Sequence, residues 1–493
     1  MNKTKALFVL VPLVMPLANL RATPQDDQFQ RIAHDYIEGF LTSNPEYATE
    51  LGDHRFDDKL TDYSAGTRAQ ELARAQQSAA AAEAFNDLSQ LTGANKVDVR
   101  LLKDNVDNEI FDIEELREWE WNPLVYNQSL ANSIYLLVAR DFAPAEQRIP
   151  NLRKRLEGIP AVIAQAKANL KHSPKIYTET AIEQTQGAIS LVREGLSPLL
   201  NQRAAGDRRD LGPIQEKTAK ALEDYKTWLQ KDLLPRSDGD FRLGADKFRK
   251  KLRFALASDL SMEEIMQRAQ ADLAQTQKAI YETALPLYKK YFPNAGKATL
   301  EDKKKVTAAV LDKLGEQHPD DNTIVSYAQK LCGKRPTSPN STTWLRCRRS
   351  RLRSSLCRSS SAGRGLPIAI LRGRWSIMAK HFSRSNRPRK IGATQRKQSF
   401  FREYNNYMCR DLTVHEAMPG HYLQLAHANE FRAPTLVRAI FRSGTFIEGW
   451  AVYCEQMMAE LGYGGPEVKM QQLKMRLRVI CNAIIDQGFT LKT

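Results

Sequence analysis

Cysteine is scarce: six in 493 residues, and none before Cys332. A disulfide-stapled scaffold is thereby excluded, and no thiol is left for lipid attachment near a mature N-terminus. Cys409, Cys454 and Cys481 show no C-x-x-C spacing, so nothing indicates a cysteine metal site. Strand-like alternation of apolar and polar residues is nearly absent, which argues against a β or α/β fold. Long apolar runs are missing as well. The best of them, Ala6–Leu20, falls short of the roughly 20 residues that span a bilayer and contains Pro12 and Pro16.

What remains is a soluble, helix-forming composition, 42% hydrophobic and 26% charged, in a chain long enough for one large or two ordinary domains. Residues 1–22 read as a signal peptide. Lys3 and Lys5 precede the short apolar run, and small residues follow it around Ala18–Ala22, interrupted by Arg21. The expected location is therefore outside the cytoplasm, most simply the periplasm, with no stable membrane insertion once the leader is cleaved. Residues 24–332 form an N-terminal helical region. Apolar residues recur at three- and four-residue spacing through Gln28–Phe40, Thr67–Leu91, Asp98–Glu118, Ala145–Leu170, Glu179–Leu200, Pro213–Leu229 and Met262–Tyr291. Ser261 and Glu264 form a capping box ahead of the last of these. His54, with Asp57, Asp58 and Asp62, reads as a turn. The expected class is all-α.

Residues 333–399 differ from everything around them. They hold 18 Lys and Arg and no Asp or Glu, so the whole net charge of +16 comes from this segment and the rest of the chain stands near −2. The segment concentrates Arg, Ser, Pro and Gly without periodicity and cannot support a packed fold. It reads as a stretch translated out of frame between two compensating indels. The other readings are a basic polyanion-binding arm, whose binding would be strongly salt-dependent, and disorder. No nucleic-acid partner is expected.

Helical pattern resumes over residues 400–493. Phe401, Tyr404, Met408, Leu412 and His415 follow three- and four-residue steps across Phe400–Met418 and carry His415 inward. His415, Glu416 and His421 then fall within seven residues, in T-V-H-E-A-M-P-G-H-Y-L-Q-L. Two imidazoles and a carboxylate suit a zinc site, with Glu as general base. The spacing is unusual. H-E-x-x-H places both histidines on one helix face, whereas six residues of regular helix separate them by roughly 240°. Pro419-Gly420 announces a break that could bring His421 back; otherwise the helix simply ends near Met418, with His415 and His421 as ordinary polar residues.

Glu448 and Glu455 lie seven residues apart, roughly 20° around a helix, so one could bind metal and the other orient a ligand. Thr445-Phe446-Ile447-Glu448 also fits a capping box, in which Glu448 only satisfies a backbone N–H. Asp411, four residues before His415, could orient that ring or be a solvated surface residue. His427 reads as structural or exposed.

H-E-A-M-P-G-H-Y-L-Q followed by E-G-W-A-V-Y-C-E resembles the bacterial domain of unknown function 885 family, similar to the helical gluzincin metallopeptidases. N-P-E-Y-A-T-E-L-G-D-H-R-F-D-D-K-L-T-D-Y-S over Asn44–Ser64, with R-D-F-A-P and R-L-E-G-I-P-A-V within Asn122–Leu170, extends the likeness over most of Pro24–Lys330 and Phe400–Gly488. The resemblance implies a large, two-lobed, all-α fold with a central cleft, and one Zn²⁺ held by His415, His421 and Glu448. It implies Glu416 as the catalytic base, with Glu455 and Asp411 behind the ligands, and a peptide or related amide as substrate. In the resembled family more helix follows the point where this chain stops, at Thr493. That departure and the 333–399 segment leave an inactive, damaged relative as the alternative.

Overall fold

The computed structural model describes residues 22–201, 205–333, 393–431 and 433–491. The expected signal peptide and nearly all of the basic segment lie outside these. The described residues are all-α: helix follows helix, and the sole strand-like pairing is an isolated bridge between Pro174 and Gly239. None of the described helices is long and apolar enough to cross a membrane.

Local signals explain most helix boundaries. The Met262–Tyr291 helix has the expected limits, and the capping box between Ser261 and Glu264 is formed in both directions. The first helix, Pro24–Ser43, starts four residues before its apolar stripe, because Thr23 caps it reciprocally with Asp26 and Pro24 occupies its first position. The Thr67–Leu91 stripe is a shorter helix, Ala65–Ala82, followed by a 3₁₀ turn at Glu83–Phe85. His54 sits in the expected turn. Its Nδ1 lies 2.9 Å from Asp57, and its ring stacks on Phe142 at 3.8 Å. Asp57 accepts from the Thr49 hydroxyl, which also accepts from the fully buried Arg155.

The boundary read at 399/400 is not a structural one. The helix carrying Phe400 begins at Ala393 and ends at Glu403. Nor is Phe400–Met418 a single helix. The Asn405 side chain accepts from the N–H groups of Tyr407 and Met408 and starts a new helix at Asn406. The apolar stripe crosses this break, which is why periodicity alone misses it. The last helix runs from Gly465 to Leu491, well beyond the amphipathic stretch Val468–Ile485.

Among the described residues, three buried cores result. One is built from helices between Tyr126 and Leu233, around Leu152, Leu156 and Tyr225. A second joins Phe29, Tyr36, Leu102 and Val106 of the N-terminal helices to Val437 and Ile440, from far along the chain. The third packs Ile280, Leu287 and Val310 against Met470 and Leu473 of the last helix. The second and third cores fix the segments on either side of the histidine-rich stretch.

Candidate metal centre

His415 lies one residue from the end of the Asn406–Glu416 helix. The chain then turns through Ala417–Gly420, with a cis Met418–Pro419 peptide, and enters the His421–Glu430 helix. Two backbone bonds close this turn: Gly420 N–H donates to the Val414 carbonyl at 3.0 Å, and Tyr422 N–H to the Ala417 carbonyl at 3.2 Å. The break brings the two imidazoles together, with ring centroids 4.6 Å apart and planes at 85°. The turn is so tight at Gly420 that a Cβ there would lie closer than 3.0 Å to the carbonyl oxygens of His415 and Val414. Glycine is required for that approach.

Glu448 enters from the Gly444–Glu460 helix. The cap of this helix is Ser443, whose side chain accepts from Phe446 N–H. Thr445 is already inside the helix, so the capping-box reading of Glu448 does not hold. The Glu448 carboxylate instead approaches both imidazoles, with Oε2 3.3 Å from His415 Nε2 and 3.5 Å from His421 Nε2. Trp450, two residues further on, donates its indole N–H to the Pro419 carbonyl at 2.9 Å, and the buried Cys454 thiol approaches the same oxygen. The Glu448 helix therefore grips the turn between the histidines as well as facing them. Nothing in the sequence pattern marked Trp450 for this.

Among the described residues, His415, His421 and Glu448 are the one group of three that could hold a metal ion, their donor atoms all within 4.8 Å of one another. The two Glu448–imidazole separations suit an ion held between these atoms. Ligands about 2.0–2.1 Å from a tetrahedral zinc are themselves about 3.3–3.4 Å apart. His421 is buried, and His415 is mostly so. The Glu448 side chain is 55% exposed, which leaves the group open on that side.

Glu455, one helical repeat beyond Glu448, is buried and lies 2.5 Å from His415 Nδ1. An ionised carboxylate only accepts hydrogen bonds, so with Glu455 ionised Nδ1 carries the proton, and a neutral His415 then turns its Nε2 lone pair to Glu448. Burial works against a charged His415. The hydrogen bond and charge of Glu455, with the charges of Glu416 and Glu448, outweigh it and raise the imidazole pKa. Asp411 is buried as well, so the solvated reading fails. Its carboxyl is pushed up to about 8 by burial and by Glu455, partly offset by His415 and Lys474. The partner of His415 Nδ1 is thus Glu455, from another helix, and Asp411 stands behind that pair. Glu416 ends the His415 helix, partly exposed, and His427 is exposed.

Truncating Glu455 tests its part. Loss of a group orienting a metal ligand typically costs 10–100-fold in affinity, so Glu455→Ala is expected to weaken zinc binding by roughly that factor. Glu455→Gln keeps an oxygen acceptor for Nδ1–H and is expected to lose less. A competition titration with a chromophoric chelator reads both. Equal affinity in all three proteins would remove Glu455 from the centre.

No curated protein matches the chain. Among solved structures, it is similar to a "putative lipoprotein of unknown function" from Shewanella oneidensis, with 24% identity over 94% of this chain and 83% of that one and a TM-score of 0.68. A "putative lipoprotein" from Colwellia psychrerythraea matches at 15% identity, with the same coverage and a TM-score of 0.62. At these identities the likeness is one of fold. The model of one family, described as "Bacterial protein of unknown function (DUF885)", matches residues 45–493 as one interval. The chain belongs to the DUF885 family, as the paired H-E-A-M-P-G-H and E-G-W-A-V-Y-C-E stretches indicate.

Proposed function

We propose that this protein is an exported, zinc-dependent hydrolase of peptide or related amide bonds. The observation that carries the reading is the convergence of His415, His421 and Glu448 at zinc-like separations, with a second glutamate, Glu416, adjoining the first ligand. Two neutral imidazoles and one carboxylate with a side left open are the donor set of catalytic rather than structural zinc. Zinc held there would supply Lewis acidity towards water and a substrate carbonyl.

The protein's own residues supply the rest. Glu455 holds His415 in the tautomer that presents Nε2. Glu416 accepts the proton from the attacking water and returns it to the leaving amine, as a general base and then acid. The substrate approaches from the exposed Glu448 side, and the reading carries with it a cleft between two helical lobes. Export is supported by the charged and apolar start of the chain and by the descriptions of the two similar structures.

The test is peptide hydrolysis by the full chain with and without zinc, beside Glu416→Gln. General acid–base groups typically contribute 10²–10⁴-fold, so the variant is expected to lose about that much in kcat while retaining zinc. Hydrolysis by the variant at the parent's rate would overturn the role of Glu416. A zinc-loaded parent that cleaves no member of a diverse peptide library would overturn the peptidase reading.

A further inference from the structure

His421 and Glu448 face each other, and the described chain between their helices, residues 433–443, is fastened to the N-terminal helices. Arg438 Nε donates to the Asp98 carboxylate, and its Nη2 to the Ala94 carbonyl at 2.7 Å. The Thr435 hydroxyl donates to the other Asp98 oxygen at 2.7 Å. The Asp98 side chain is fully buried, on the Gly93–Phe111 helix. Further along, the Tyr47 hydroxyl donates to the Ile440 carbonyl at 2.6 Å, and Val437 and Ile440 enter the core around Phe29 and Leu102. The same connection touches both ligand helices. The Arg438 guanidinium lies 5.1 Å from the ring centroid of Phe431, the residue that ends the His421 helix, and Ser443 caps the Glu448 helix five residues after Arg438.

We infer that Asp98, acting through Arg438, is a positioning residue for the metal centre. It fixes the end of the His421 helix and the start of the Glu448 helix against one rigid body. Glu448 is only five residues beyond Ser443, about 7.5 Å along a helix, so a shift of the helix entry reaches its carboxylate almost undiminished. Metal-ligand distances tolerate only about 0.2 Å, so such a shift is felt as lost affinity. An ion pair with a purely structural part would change the stability of the fold and leave the affinity of the folded protein alone. Linkage adds a reciprocal effect: if Asp98 tightens the metal site, metal must tighten the junction.

The inference rests on the zinc reading, and the experiment separates the two. Zinc affinity of the full chain is measured by chelator competition, and ligand geometry by the visible absorption of the Co²⁺ form, for the parent, Asp98→Asn and Arg438→Lys. Asp98→Asn is expected to bind zinc about 10–100-fold more weakly, as for other groups that orient ligands, with an altered Co²⁺ spectrum. Arg438→Lys keeps the charge, loses the planar fork, and is expected to fall between. In the parent, zinc is expected to slow amide hydrogen exchange across 435–441. Parent affinity and spectrum in a folded Asp98→Asn overturn the proposal. If that variant does not fold, exchange across 435–441 that ignores zinc in the parent overturns it equally. A parent that takes up no zinc instead overturns the metal reading, on which this one depends.

Discussion

His415→Ala is expected to leave purification without zinc where the parent retains one equivalent. This imidazole is the pivot of the centre: one nitrogen faces Glu448 at 3.3 Å and the other Glu455 at 2.5 Å. Its removal takes away a ligand outright, so the loss in affinity should exceed the roughly 10–100-fold typical of an orienting residue. A second effect follows without any metal. Glu455 is buried and would lose its hydrogen bond to His415, and an abandoned buried acceptor costs about 1–3 kcal/mol. The metal-free variant should therefore also melt earlier than metal-free parent. His427→Ala is the control, because His427 is exposed and should leave both quantities unchanged. Elemental analysis and thermal melts check these outcomes. One zinc per chain in His415→Ala would mean that the metal is held elsewhere.

Gly420→Ala should force open the turn that joins the two histidines. A Cβ there meets the backbone carbonyls of His415 and Val414, not the end of a flexible side chain. Relief requires the turn to open, which breaks the Gly420 N–H bond to Val414 and moves both imidazoles. Overpacking of this kind costs about 1–3 kcal/mol, and here zinc binding should be lost as well. The comparison is Gly187→Ala, within the Lys175–Ser190 helix, where an added Cβ meets nothing within 4 Å. That substitution should raise stability by up to about 1 kcal/mol. A Gly420→Ala protein with the parent's melting temperature and zinc content would show that the tight turn is not what joins the histidines.

The same turn shows how much of this protein is legible in its sequence. The helices are legible because caps and stripes are local: Ser261, Glu264 and the apolar spacing after them define Met262–Tyr291 without reference to anything distant. The candidate metal group is legible because Pro419-Gly420 marks the place where a six-residue spacing can close. Two readings taken within a single helix give way for a common reason. Asp411 is the local candidate to orient His415, but Glu455 does so from a helix 40 residues on. Thr445 is the better local match to a capping box, but Ser443 is the cap, and Glu448 turns to the histidines. In each case a partner from another helix outweighs the pattern within one helix. The break at Asn405 is different: it was visible as a capping residue, and an uninterrupted stripe masked it.

The fastening of residues 433–443 to the N-terminal helices bears finally on the order in which the candidate metal centre forms. Thr435 and Arg438 reach Asp98 across 337 and 340 residues of sequence, and Tyr47 reaches Ile440 across 393. Contacts of such separation close long loops and form slowly compared with the helices themselves. The three ligands span only 34 residues, yet their geometry waits on the opposite end of the chain. In a refolding experiment, secondary structure should therefore return well before zinc uptake. Zinc supplied at the start should quicken the final step little, because the ion has no site to organise until the two ends of the sequence have met.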